Sequence, residues 1–269
     1  MAVHPPDEPG DPASYAPTPR GFFIHDDLTQ DVQARHGADS LAARLTAELL
    51  SLVRRDAERV RVLTLEEQIQ GVLAHGTHPP FEAAIGIGRA GERVAGQLHE
   101  RAGWFPAIRR VDVTREEDGR GGYRLVSTGA EPLARQLAGL ERCRSLAVVD
   151  DTVFSGLTMR SILESVSPET LSRTHAFCLR AVAESLPPLR ALCPVTVGFA
   201  AEGKILEEVS FINASGLVLR VAIRRPGRPP LAFFERPEWM RAWFRGDADE
   251  VIALCRRLNP LLEGGRGSS

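Results

Sequence analysis

The sequence predicts an α/β protein with a five-stranded, mainly parallel sheet flanked by helices and a smaller C-terminal lobe. Three observations lead to this prediction. Between residues 81 and 200, short apolar segments alternate with segments of helical periodicity, the pattern of parallel sheets covered on both faces. The segment 146–149 is wholly apolar, as expected for a buried strand. The chain of 269 residues is long enough for one large domain, or for a domain with an appended lobe.

Two helices are predicted before the core of the domain. The first begins after Ser40, where apolar residues recur at helical spacing from Leu41 to Val53. The second begins at Thr64, where Thr64 and Glu67 have the spacing of a capping box. The core elements are then predicted in this order: strand 81–87, helix 92–101, strand 105–113, a polar hairpin or loop 114–122, a helix from Pro132, strand 145–149, helix 157–166, strand 175–182, helix 185–192 and strand 195–200.

The chain divides into three segments by composition and pattern. Residues 1–20 are rich in proline and poor in apolar groups, so we interpret them as a disordered tail. Residues 21–204 are predicted to form the core, and residues 205–269 an appended C-terminal lobe. Within the lobe we predict strands 217–223 and 231–234 and helices 238–244 and 247–258.

Composition excludes several classes of function. The chain has 33 basic and 35 acidic residues and a net charge of −2, which argues against a nucleic-acid partner bound through phosphate charge. No apolar segment is long enough to span a bilayer, and the first residues lack the pattern of a signal peptide, so we expect a cytoplasmic protein without a membrane partner. The four cysteines are scattered without metal-ligand spacing, and we interpret them as core residues.

The most informative segment is 146–158, where an apolar strand leads into two acids and then a Ser-Gly-x-Thr turn. The hydroxyls of Ser155 and Thr158, with the free N–H groups of a helix start, can bind a phosphate. Gly156 permits close approach of the backbone to that phosphate. Asp150 and Asp151 would repel a phosphate and are better suited to accept hydrogen bonds from vicinal hydroxyls. These features together predict a sugar-phosphate site.

Residues 146–158 resemble the phosphoribosyl-pyrophosphate (PRPP) binding motif of the type I phosphoribosyltransferases. That motif has four apolar residues, two acids, three variable residues, then Thr or Ser, Gly, any residue and Thr. The resemblance covers about residues 40–203 and implies a type I phosphoribosyltransferase-like fold with a variable hood. It implies that Asp150 and Asp151 hold the ribose hydroxyls and that the turn binds the 5′-phosphate. The PRPP-binding residues carried over are Thr152, Val153, Phe154, Ser155, Gly156, Leu157 and Thr158.

A second segment, 84–91, resembles the pyrophosphate loop of the same family. It follows the first core strand and contains Gly88, Arg89, Ala90 and Gly91. The glycines would let the backbone approach the pyrophosphate, and Arg89 would donate charge-assisted hydrogen bonds. Taken alone, the glycine spacing also fits a dinucleotide-binding turn. The order of the strands and the first motif favour the pyrophosphate loop.

The family also has a mobile loop, in the place of residues 114–122, and residues outside the core that select the acceptor. Arg115 and Arg120 are candidate phosphate contacts on that loop, although a solvated hairpin tip is an equal alternative. Glu202, Lys204 and Phe154 are candidate acceptor contacts. The loop has no lysine, which argues against orotate as acceptor, and Phe154 stands where hypoxanthine-guanine enzymes carry an acid.

The resemblance implies a transferase that moves the 5-phosphoribosyl group of PRPP to a nucleobase or related acceptor and releases pyrophosphate. Mg2+ would be held mainly through PRPP, with Asp150 and Asp151 nearby. A homodimer is expected from the resemblance alone. Two alternatives stay open: a catalytically silent regulator of the same fold that senses PRPP or a nucleotide, and a PRPP synthetase-like kinase. A two-copy architecture is typical of that kinase family, and no second copy is visible here.

Overall fold

The chain folds into two compact units. The computed structural model describes residues 20–117, 123–129, 131–205, 207–225 and 228–264. Among these residues, those between 66 and 205 form one unit, and those of 20–65 and 207–264 form the other. The sequence prediction placed 21–204 in one core, whereas the structure groups 21–65 with the C-terminal segment because their strands pair in one sheet. The predicted tail lies outside the described residues, apart from Arg20.

The regular elements span most of the described chain. In chain order they are β1 (Gly21–Asp26), α1 (Thr29–His36), α2 (Leu41–Val53), β2 (Val60–Thr64), α3 (Leu65–Leu73), β3 (Ala83–Ile87), α4 (Gly88–Ala102), β4 (Ile108–Val111), β5 (Val113–Glu117), β6 (Tyr123–Ser127), α5 (Leu133–Gln136), β7 (Leu146–Val153), α6 (Leu157–Ser165), α7 (Pro168–Leu171), β8 (Thr174–Val182), α8 (Leu186–Arg190), β9 (Val195–Ala201), β10 (Val209–Asn213), α9 (Ala214–Val218), β11 (Ile223–Arg225), β12 (Arg228–Leu231), α10 (Pro237–Trp243) and α11 (Ala248–Glu263). None of the helices in these ranges is long and apolar enough to cross a membrane.

The 66–205 unit contains the predicted five-stranded sheet. Its strand order is β4-β3-β7-β8-β9, and every neighbouring pair is parallel. The apolar start of β7, Leu146–Val149, is fully buried in the middle of the sheet. This burial explains why these residues form a strand, since a strand covered on both faces needs apolar side chains on both. The predicted α/β class with a parallel sheet is confirmed.

The predicted strand 105–113 is two strands in the structure. The parallel pairing of β4 with β3 ends at Val111, and Gln136 Oε1 accepts the backbone N–H of Asp112 at 2.7 Å. A side chain thus takes the hydrogen bond that a sheet partner would otherwise make. The strand β5 then pairs antiparallel with β6, from Val113 opposite Ser127 to Glu117 opposite Tyr123. The prediction of a hairpin or loop at 114–122 is therefore resolved as a hairpin in its described part.

The second unit has a three-stranded parallel sheet of order β10-β1-β2. The sequence did not predict β1, β2 or α1 as regular elements. The predicted strand 217–223 is wrong except at its last residue, because Leu217 and Val218 belong to α9 and are fully buried, and β11 begins only at Ile223. Asn259 of α11 donates to the carbonyl of Val218 at 2.8 Å, which satisfies the end of this short helix. The predicted C-terminal helices 238–244 and 247–258 are confirmed as α10 and the longer α11.

Two histidines lie in an aromatic cluster near the start of β8. The rings of His78 and His175 are 4.7 Å apart between centroids, and His175 stacks on Phe177 at 4.4 Å. Thr196 bonds the His175 ring through Oγ1 at 2.8 Å. Burial, and to a smaller extent the nearby charge of protonated His78, lower the pKa of His175 from 6.5 to about 4.

Candidate functional site

The two acids of the predicted motif lie in the last part of β7, between β3 and β8. Asp150 stands opposite Cys178 of β8, and Thr152 stands opposite Arg180. Both carboxylates are therefore delivered at the carboxyl end of a central strand. Ligands of open α/β sheets bind outside this end of the strands.

The charge of the Asp150 carboxyl depends on its neighbours Asp151 and Arg180. The backbone N–H of Asp151 donates to Asp150 Oδ1 at 2.8 Å. The pKa of Asp150 is raised well above its usual range, first by burial and then by the negative charge of Asp151. The positive charge of Arg180 acts in the opposite direction and favours the ionised carboxylate.

The turn after β7 requires glycine at position 156. Gly156 has φ +71° and ψ −8°, a left-handed conformation, and stands at the N-cap of α6. Ser185 holds the turn by donating its hydroxyl to the carbonyl of Phe154 at 2.6 Å. Gly156 has no side chain with which to cap α6, and the N–H groups at such a helix start are the kind of donors that bind an anion.

The remaining motif residues divide between the core and the site. Val153 is buried in the apolar cluster of this unit, whereas Leu157 at the start of α6 is 38% exposed. Ser155 and Thr158 are partly buried at the turn. The hydroxyl oxygen of Thr152 is buried and has no hydrogen-bond partner among the described residues. Because buried polar atoms are normally paired, this hydroxyl is suited to a ligand.

The second glycine-rich segment forms the start of a helix rather than an extended loop. The helix α4 begins at Gly88, which has φ +60°, and Arg89 and Ala90 follow in its first turn. A Cβ at Gly91 would overlap the carbonyl oxygen of Val149 and lie 3.3 Å from Asp150 Cα. The structure thus brings the two predicted motifs into contact. The missing side chain of Gly91 permits this helix–strand packing, and its predicted contact with a pyrophosphate stays a prediction.

Arg89 is exposed on the first turn of α4, next to the packed Gly91. No hydrogen bond or ion pair of this side chain is found within the described ranges. An exposed guanidinium on the helix start that packs on β7 through Gly91 is suited to the predicted contact with a pyrophosphate.

The other predicted residues lie on other elements or are not described. Arg115 lies in β5, but its side chain is outside the description, and Arg120 lies outside the described residues altogether. Glu202 and Lys204 are exposed after β9, the edge strand on the β8 side of the sheet. The structure therefore brings together the residues of the two motifs, while the loop and acceptor candidates stay predictions.

Sequence reasoning missed two buried polar residues that support the acids. Arg180 Nη2 donates to Asp151 Oδ2 at 3.1 Å, and Arg180 Nη1 donates to Gln68 Oε1 at 3.3 Å. A signal was present in the sequence, because Arg180 interrupts the apolar strand 175–182. A charge inside such a strand requires a partner.

The donor set bears on whether a metal fits this site. Within the described ranges, no group of three or more His, Cys, Asp or Glu side chains could hold a metal ion. Asp150 and Asp151 offer carboxylate oxygens, the ligands that Mg2+ prefers, and this ion commonly combines one or two carboxylates with substrate phosphates. The residues present fit an ion held jointly with a phosphorylated ligand.

Comparison with known proteins gives structural neighbours only. No protein-family model matches the chain, and no curated protein is similar to it in sequence. A purine phosphoribosyltransferase from Pyrococcus horikoshii is 16% identical, with 55% of this chain and 89% of that chain covered and a TM-score of 0.35. A xanthine-guanine-hypoxanthine phosphoribosyltransferase from Helicobacter pylori is 12% identical, with 70% of this chain and 92% of that chain covered and a TM-score of 0.32. A hypothetical protein from Neisseria gonorrhoeae with bound ppGpp is 16% identical, with 72% of this chain and 94% of that chain covered and a TM-score of 0.40. At such low identities and TM-scores we draw no residue roles from these structures.

Proposed function

We propose that this protein is a Mg2+-dependent phosphoribosyltransferase that transfers the 5-phosphoribosyl group of PRPP to a nucleobase or related acceptor. The observation that carries the proposal is the segment from Asp150 to Thr158. Two adjacent carboxylates lie in the last part of a central strand, and a left-handed glycine then opens a helix without supplying a side-chain cap. The unpaired buried hydroxyl of Thr152 gives independent support for a ligand at this segment.

Each part of the segment has one task in this proposal. The turn at Ser155 and Gly156, with the first N–H groups of α6 and the Thr158 hydroxyl, binds the 5′-phosphate. Asp150 and Asp151 accept hydrogen bonds from the ribose hydroxyls and fix the orientation of the sugar. Correct orientation of the reacting carbon accounts for much of the rate enhancement expected of such a site.

The leaving pyrophosphate is assigned to the start of α4. Arg89 is exposed there, and the packing of Gly91 on β7 keeps this helix start beside Asp150. Mg2+, held mainly through the oxygens of PRPP near Asp150 and Asp151, would neutralise negative charge on the leaving group. Arg89 and the backbone N–H groups add to that stabilisation.

The transfer exchanges one bond at the ribose C1 for another. The bond from C1 to the pyrophosphate oxygen breaks, and its electron pair leaves with pyrophosphate. A lone pair of the acceptor nitrogen forms the new bond to C1, and the proton displaced from that nitrogen passes to solvent. Glu202, Lys204 and Phe154 are the proposed acceptor contacts. The lack of a lysine in the sequence 114–122 argues against an orotate type of mechanism. Phe154 argues against the hypoxanthine-guanine type, which has an acid at that position.

The test is pyrophosphate release from PRPP and Mg2+ with a panel of purines, pyrimidines and other acceptors. We expect acceptor-dependent release that is lost in the folded Asp150→Asn/Asp151→Asn variant. Equal release by that variant overturns the assignment of the acids. Binding of PRPP without release with any acceptor favours the silent regulator, and ATP-dependent formation of PRPP from ribose 5-phosphate favours the kinase.

A further inference from the structure

A buried arginine lies directly behind the acidic pair. The Arg180 side chain is 2% exposed, whereas that of Asp151 is 20% exposed. The guanidinium therefore sits in the protein interior, and the carboxylate it binds reaches the surface. A ligand arriving from solvent can touch Asp151 but not Arg180, so Arg180 acts on the ligand without contacting it.

The far side of the guanidinium is fixed by α3. Arg180 Nη1 donates to Oε1 of Gln68, a fully buried residue of that helix. A Cβ at Gly198 would overlap the carbonyl oxygen of Gln68 and lie 2.8 Å from that of Leu179, and a Cβ at Gly71 would overlap the carbonyl of Gly198. The helix thus packs backbone to backbone on β9, which leaves Gln68 no room to withdraw from Arg180.

We propose that Arg180 is a positioning residue for PRPP binding, an inference that rests on the function proposed above. Arg180 holds Oδ2 of Asp151, so that the carboxylate keeps one orientation. Its other oxygen, Oδ1, is then the one that accepts from a ribose hydroxyl. The pair Arg180–Gln68 therefore sets the geometry of the sugar contact without touching the sugar.

The chemistry of arginine explains why this position carries that residue. The planar guanidinium has several donors in a fixed fork and can bind Asp151 and Gln68 at once, whereas a lysine ammonium is a point charge on a flexible stem. Arg180 also offsets one of two adjacent negative charges. Without it, the repulsion between Asp150 and Asp151 would favour orientations in which the two carboxylates turn apart.

The test compares two ligands that differ in the ribose. We would measure dissociation constants for PRPP with Mg2+ and for inorganic phosphate in the wild type, Arg180→Met, Arg180→Lys and Arg173→Met. Arg173 is the matched control: it lies just before the amino end of β8 and donates to the carbonyl of Glu141 at 3.0 Å. Its replacement removes the same charge far from the carboxyl end of the same strand.

We expect Arg180→Met to raise the dissociation constant of PRPP about tenfold or more, the loss typical of a charge-assisted hydrogen bond. Inorganic phosphate, which binds the turn and has no hydroxyl for Asp151, should change less than about twofold. Arg180→Lys should give a smaller loss for PRPP, and Arg173→Met none. If Arg180→Met fails to fold, the Lys variant tests the same selective loss.

A merely structural role would lower the melting temperature and affect both ligands alike. Unchanged PRPP binding by a folded Arg180 variant, or equal losses for both ligands, overturns the inference but leaves the proposed function intact. Wild-type protein that binds phosphate but not PRPP overturns the proposed function, and the inference with it.

Discussion

Replacement of Gly91 by alanine tests how the two halves of the site are joined. Gly91 lies in the first turn of α4, where a Cβ would overlap the carbonyl oxygen of Val149 and lie 3.3 Å from Asp150 Cα. The obstacle is backbone in the middle of a sheet, which cannot rotate away as a flexible side chain could. The helix start must therefore move away from β7, and Arg89 moves with it.

Gly96 of the same helix provides the matched control. A Cβ at this position meets nothing within 4 Å. Gly96→Ala should stabilise the protein by up to about 1 kcal/mol, because alanine is the better helix former. Gly91→Ala should instead destabilise it by about 1–3 kcal/mol, the usual cost of overpacking a tight contact.

Thermal unfolding and PRPP binding are the two assays for this pair. At about 2–4 °C per kcal/mol for a chain of this size, the two variants should melt on opposite sides of the wild type. Gly91→Ala should also weaken PRPP binding, since the start of α4 is displaced. Equal melting temperatures for the two variants would refute the close helix–strand packing, and unimpaired PRPP binding by Gly91→Ala would refute the shared site.

Two further predictions follow from local geometry. Gly156→Ala places a Cβ on a residue in the left-handed conformation and should lower the free energy of unfolding by about 1–2 kcal/mol, measured by thermal unfolding. The same variant should bind phosphate more weakly. Gly156→Asn should lose less stability, because asparagine tolerates this conformation better. The depressed pKa of His175 means that the folded protein binds fewer protons than the unfolded chain between pH 6.5 and about 4. The contribution of His175 to the free energy of unfolding should therefore be intact above pH 6.5 and be lost as the pH falls from 6.5 to about 4. The loss should be about 1–2 kcal/mol, because the side chain is only partly buried. His175→Gln should make the free energy of unfolding less dependent on pH in this range. A melting temperature of the wild type that does not change from pH 7 to 4.5 contradicts the latter prediction.

The parallel sheet could be predicted because its signals are local. Apolar segments such as Leu146–Val149 and the helices between them have the periodicity of their final structures, and burial on both faces of a sheet leaves a clear pattern. The site motif was visible for the same reason: its residues at 150–158 are contiguous in the chain. The second motif was identified as well, but the packing role of Gly91 depends on a neighbouring strand.

The features that could not be predicted depend on distant parts of the chain. The strand β1 forms because it pairs with both β2 and β10. Its partner β10 lies nearly 190 residues later in the sequence. Short strands of this kind have no strong local pattern. The contact of Arg180 with Gln68 and Asp151 likewise joins three separate elements, so only the isolated charge in an apolar strand pointed to it.

Equilibrium binding of PRPP in the presence of Mg2+, measured by calorimetry, tests the central claim most directly. The wild type should bind one PRPP per chain with saturation, and the folded Asp150→Asn/Asp151→Asn variant should bind at least about tenfold more weakly, because it loses charge-assisted hydrogen bonds to the ribose. Absence of saturable binding to the wild type, or equal affinity in the double variant, would contradict a sugar-phosphate site at the end of β7.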